Sequence, residues 1–138
     1  MGAVRVAAID VGEARIGRAV GELGRRLAFG RGYLERRGGR ADLEALAEWL
    51  RSEGVQRVVV GLPLRTGGEE GPEARRVRAF AGGLAELGFE VVFEDERFTT
   101  RLAQARLRRA PRRKRREKGR IDEASAVAIL EAYLERHG

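Results

Sequence analysis

The chain has 138 residues, with 28 Lys or Arg against 21 Asp or Glu for a net charge of +7, no cysteine, and one histidine, His137, beside the C-terminus. That inventory excludes disulfides, thiolate metal sites, Cys–His nucleophiles and histidine-centred acid–base or zinc chemistry. Any reaction falls to carboxylates, guanidinium or ammonium groups, hydroxyls or a hard metal ion.

Val4–Asp10 reads as a strand ending in a carboxylate, with Val4, Val6, Ala8 and Asp10 on one face and Gly12 permitting a tight turn. Arg15–Gly21 and Leu27–Leu34 are two further short strands, and three neighbours with short connections predict an antiparallel meander. Leu43, Leu46, Ala47 and Leu50 repeat at helical spacing, so a helix is expected over Asp42–Arg51, capped by Asp42 and stopped by Gly54. Trp49 flanks that stripe as a packing residue. Val55–Leu62 is a buried strand, and the glycine-rich Leu64–Glu73 a loop. Pro72 suits a first helical turn, and Val77, Phe80, Ala81, Leu84 and Leu87 carry an apolar stripe to Gly88. Phe89–Glu94 is the next strand. Thr99 or Thr100 can cap a short helix through Leu107, broken by Pro111, and Asp122 is expected to open a last helix carrying Val127, Leu130 and Leu134.

Strands joined through helices lie parallel, so the expected fold is α/β: a mixed five-stranded sheet flanked by helices, in one domain over 1–138. No apolar run reaches the ~20 residues of a membrane helix, and the N-terminus lacks a signal-peptide layout. A cytoplasmic protein without a membrane partner is expected.

The charge is not evenly spread. Arg97–Arg120 holds 12 basic residues and one acid, Glu117, for a local charge of +11, while the remainder carries −4. Concentrated basicity of this kind suits a phosphate backbone, and the bland alternative is a solvated charge run.

Acids stand at element ends: Asp10 closes the first strand, Asp95 and Glu96 the last, and Asp122 the start of the final helix. Functional groups in open α/β sheets gather at the carboxyl ends of strands. Oxygen-only ligands meeting there select Mg²⁺ or Mn²⁺, which binds phosphate and activates water. Each acid also has a plainer role: Asp122 as an N-cap, Asp95 and Glu96 as partners of nearby arginines, Asp10 as a turn former. The Gly12–Gly17 spacing lacks the Lys-Ser/Thr of a phosphate loop, and no Gly-x-Gly-x-x-Gly fingerprint or nucleophile elbow occurs.

Four blocks together resemble one family. They are Ile9-Asp10-Val11-Gly12-Glu13-Ala14-Arg15-Ile16-Gly17-Arg18-Ala19, Val59-Val60-Gly61-Leu62-Pro63-Leu64, Asp95-Glu96-Arg97-Phe98-Thr99-Thr100 and Ile121-Asp122-Glu123-Ala124-Ser125-Ala126-Val127-Ala128-Ile129-Leu130. In this order, over nearly the whole chain, they resemble the RuvX/YqgF proteins of bacteria, a family related to Holliday-junction resolvases and pre-16S rRNA nucleases. Phe98 departs from the family's usual leucine and Ser125 from a common alanine, and the basic segment is richer in arginine.

The resemblance implies a ribonuclease H-like fold and divalent-metal phosphodiester hydrolysis. Asp10, Asp122 and the acids Asp95 and Glu96 carry over as catalytic residues, with Asp10, Glu96 and Asp122 as ligands of one or two Mg²⁺ or Mn²⁺ ions. Arg15 and Arg97 would position phosphates, and Arg109, Arg112, Arg113, Lys114, Arg115, Arg116 and Lys118 would grip the backbone. The expected partner is structured RNA, in maturation of the 16S rRNA 5′ end, with branched DNA the alternative. A monomer or homodimer is expected, and a non-catalytic binding module is the rival from another class.

Overall fold

A computed structural model describes residues 4–97 and 118–137. Five strands, β1 (Arg5–Val11), β2 (Arg15–Glu22), β3 (Ala28–Glu35), β4 (Arg57–Leu62) and β5 (Glu90–Asp95), form one sheet in the order β3-β2-β1-β4-β5. The first three are the expected antiparallel meander, and β4 runs parallel to both β1 and β5. The sheet is thus mixed, with its parallel part built through helical crossovers. Helices α1 (Gly39–Ser52), α2 (Pro72–Glu86) and α3 (Lys118–His137) cover it. No helix among the described residues is long and apolar enough to cross a membrane.

Two apolar layers result from strand alternation. Ala7, Ile9, Val58 and Val60 face α1 and α2, packing with Leu46, Leu50, Val77 and Leu84. Val6, Ala8, Ala19 and Val59 face α3, against Ala126, Ile129, Leu130 and Leu134. β1 and β4 are therefore buried on both faces, which explains their unbroken apolar runs.

Helix α3 comes unusually close to the sheet. A Cβ on Gly17 would lie 1.9 Å from the backbone oxygen of Asp122, so only glycine at that position lets the helix cross β2 there. The contact sets the height of Asp122 above β1, because Gly17 pairs with Asp10 in the sheet register.

Two expected helix starts are corrected. Asp42 lies inside α1, not at its cap: Gly38 is the N-cap, and the buried Asp42 carboxylate reaches back to the backbone N–H groups of Arg37 and Gly38 at 2.8 and 3.2 Å. Asp122 is likewise internal, since α3 already includes Lys118–Ile121, which leaves its side chain free to face the sheet. The glycine-rich loop expected over Leu64–Glu73 ends at Gly71, just before α2 begins, and holds a small antiparallel bridge between Leu64 and Glu70; Trp49 packs half-buried with the Arg18 guanidinium 4.9 Å from its ring. The short helix expected from Thr99 or Thr100, and the basic run to Glu117, lie outside the described residues.

Candidate active site

Asp10 projects from the carboxyl end of β1 on the parity of Val6 and Ala8, toward α3. It shares a hydrogen bond with Glu96 and receives another from Ser125. Burial raises its pKa; the Glu96 hydrogen bond opposes that, the charge of Asp122 adds to it, and the Ser125 hydrogen bond again opposes. Ser125 stands three residues after Asp122, so both side chains share one face of α3.

Glu96 follows β5 and leans over Gly61 of β4, where a Cβ would come within 2.8 Å of its Cγ and Oε1. Burial is the main cause that pushes its carboxyl up to about 10, followed by the hydrogen bond to Asp10 and the charges of Asp10, Glu73 and Asp95. Two buried carboxylates this close cannot both ionise, so a proton is held between them, on Glu96.

Asp122 acts on Asp10 through its charge, while its own Oδ2 accepts from Arg15 Nε at 2.8 Å. Asp95 is directed elsewhere. It accepts from Arg97 Nη2 at 2.6 Å, Nε at 2.9 Å and the backbone N–H at 2.9 Å, and the Arg97 hydrogen bond outweighs burial to hold its pKa low. Arg97 also donates to the Thr66 carbonyl at 3.1 Å. Asp10, Glu96 and Asp122 are thus brought together, and Asp95 is not. Of the basic residues expected to hold a phosphate backbone, Arg109, Arg112, Arg113, Lys114, Arg115 and Arg116 lie outside the described residues, and Lys118 is the first residue of α3.

Sequence reading missed two features. In the sequence Ser125 stands out only as a departure from the family's alanine, although its i+3 spacing from Asp122 signals a shared helix face. Asp42, read as a cap, anchors Arg36 (Nε to Oδ2, 3.1 Å), whose Nη1 donates to the Gly12 carbonyl at 2.9 Å. That tie fixes the turn after β1 on which the site depends.

The donors suit a hard divalent ion: they are all oxygen, and the Asp10–Glu96 pair needs a positive particle between its members, a proton or a metal. Among the described residues no three acids stand ready as a ligand group, and Asp122 is ion-paired with Arg15.

A mixed sheet in this order, with carboxylates at the ends of its first and last strands and one on the covering helix, is the ribonuclease H-like arrangement. The fold matches a fowlpox virus resolvase solved with Holliday junction DNA (TM-score 0.58, 9% identity, 96% of this chain and 98% of that one). It also matches Thermus thermophilus RuvC solved with a Holliday junction substrate (TM-score 0.57, 19% identity, 98% and 96%). A protein of Thermus thermophilus named "Putative pre-16S rRNA nuclease" is 55% identical over 133 residues, 96% of this chain and 98% of the relative. Ribonuclease YqgF of Deinococcus radiodurans is 46% identical over 131 residues, 95% and 88%. The family model RuvX, described as Holliday junction resolvase, matches residues 4–136, and the chain belongs to that family. It is accordingly a nuclease, a hydrolase of phosphodiester bonds.

Proposed function

We propose that the chain acts as a single-domain nuclease dependent on Mg²⁺ or Mn²⁺, cutting structured RNA in the maturation of the 16S rRNA 5′ end. The observation that carries this reading is the buried Asp10–Glu96 pair, with the Asp122 charge beside it, at the carboxyl ends of β1 and β5. The names of the two close relatives support the RNA substrate. Asp10 and Glu96 would hold the ion, with Asp122 completing the set once it leaves Arg15. A divalent ion bound there supplies water activation and charge stabilisation at the phosphorus.

This chain's own residues do the rest. Ser125 orients Asp10, and Arg15, released from Asp122, presents a guanidinium to a non-bridging phosphate oxygen. Asp95 holds Arg97 near Thr66 rather than binding the ion. The basic Arg109–Lys118 segment supplies the sequence-independent, salt-sensitive part of binding.

The test is a paired assay with purified protein and Mn²⁺, one tube holding RNA that spans the 16S 5′ end and the other a synthetic four-way DNA junction. The proposal expects RNA cleavage that disappears in Asp10→Asn and Asp122→Asn while binding persists. Cleavage of the junction alone would move the substrate to the one named in the family description, and wild-type rates in both variants would refute the site.

A further inference from the structure

Beside the carboxylates lies a cleft of about 500 Å³ between the turn after β1 and helix α2, lined by Gly12, Glu13, Arg36, Glu73, Phe80 and Glu96 among others. Apart from Glu96, nothing in the proposed mechanism uses it. We infer that this cleft receives one unpaired nucleoside of the substrate, next to the phosphate that is cut. The inference rests on the nuclease reading and deepens it by naming the local form of the substrate.

Position is the first argument. Glu96 lines the cleft and also belongs to the Asp10 pair, so whatever fills the cleft lies against the proposed metal site. Size is the second. The volume falls within the ~300–1,000 Å³ of pockets that take small organic molecules, room for a base with its ribose but not for a duplex.

The chemistry of the walls is the third. The Arg36 guanidinium is held by Asp42 at 3.1 Å and the Gly12 carbonyl at 2.9 Å, and it sits 5.0 Å from the Phe80 ring centroid. A fixed guanidinium on an aromatic ring is the kind of surface on which splayed bases stack. Glu13, from the turn after β1, and Glu73, from the first turn of α2, add carboxylates to the lining. They repel a phosphate and accept from ribose hydroxyls or base N–H groups, so the nucleoside enters while its phosphate stays outside at Arg15. Arg76, exposed on α2 at the rim, offers donors to base carbonyls. A base inside cannot keep its pairing partner, so the cut lies at an unpaired position.

The experiment measures cleavage, with Mn²⁺, of the 16S-spanning RNA and of the same RNA carrying one abasic residue on either side of the cut. The junction is treated identically. Wild type is expected to cut one abasic substrate roughly 10-fold more slowly than the intact one, as loss of a single stacked base implies. Phe80→Leu, which keeps an apolar side chain against the core, and Arg76→Ala, an exposed change, should slow the intact substrate and shrink the abasic penalty. Equal wild-type rates on intact and abasic substrates, or a full penalty retained in both variants, would overturn the inference.

A second arm separates this from failure of the nuclease reading. A single-stranded oligoribonucleotide carrying 2-aminopurine is titrated with wild type and Phe80→Leu, without metal. Quenching by wild type only, with no cleavage of any substrate, would sink the nuclease reading and keep the cleft. Equal quenching, or none, together with no cleavage would sink both.

Discussion

Replacing Gly17 with alanine would test how the sheet positions the helix that carries Asp122. The added Cβ would lie 1.9 Å from the Asp122 oxygen, 2.3 Å from its carbonyl carbon and 2.9 Å from the Glu123 nitrogen. All three are backbone atoms, so no side-chain rotation relieves the clash. Restoring ordinary contact requires α3 to retreat by roughly 1–1.5 Å. Over-packing a core costs about 1–3 kcal/mol, and a clash with backbone belongs at the upper end. A loss of about 3 kcal/mol in a chain of this size lowers Tm by roughly 10 °C. The same displacement carries Asp122 away from Asp10, and a misplacement near 1 Å can cost ~10²-fold in rate. Urea unfolding and Mn²⁺-supported cleavage would be measured on Gly17→Ala, with Gly82→Ala as control. Gly82 lies within α2 with open space around its Cβ position, so alanine there should be neutral or stabilising by up to ~1 kcal/mol. Gly17→Ala with stability within about 0.5 kcal/mol of wild type and an unchanged cleavage rate would refute the reasoning.

Asp42→Ala should cost about 3 kcal/mol, because the 2%-exposed carboxylate answers two backbone N–H groups and the Arg36 guanidinium. Burial opposes ionisation of Asp42, but those hydrogen bonds outweigh it and hold the folded-state pKa low. A depressed folded pKa gives stability that is present above the unfolded value and lost as pH falls through the folded one. Wild type should therefore lose this contribution below about pH 4, and urea titrations should show the two proteins converging there; a gap independent of pH would contradict the assignment. Asp95→Asn should change cleavage by no more than about threefold, since it breaks a partly exposed pair. Glu96→Gln should lower it by ~100-fold or more, since it removes a proposed ligand; the reverse order in a rate comparison would exchange the roles of the two acids.

Much of the fold follows from patterns visible along the chain. The continuous apolar runs of β1 and β4 announce strands buried on both faces, and the stripe at Leu43, Leu46 and Leu50 announces α1. Helix starts are less legible, because Asp42 and Asp122 look like caps by residue type, whereas Asp42 folds back onto Arg36, Arg37 and Gly38 and Asp122 is drawn to Arg15 of β2. The choice between Asp95 and Glu96 depends on which face of β5 meets α3. Glu94 is buried and ion-paired with Arg136 of α3, which puts even-numbered residues of β5 on that side, and Glu96, just past the strand, lies over Gly61 together with Ile129 of α3. One strand cannot reveal this; it needs the register that sets Gly61 opposite Glu94. The roles of Gly17 and Gly61 were hidden for the same reason, since their missing side chains matter only where another element crosses them.

Locating Mn²⁺ by anomalous scattering in crystals of the wild type and of Asp10→Asn bears most directly on the chemistry. The ion is expected between Asp10 and Glu96, with the Asp122 carboxylate turned from Arg15 toward it, and the substitution should empty that position. Manganese bound only away from these three side chains, or held equally well when Asp10 is replaced, would contradict the account.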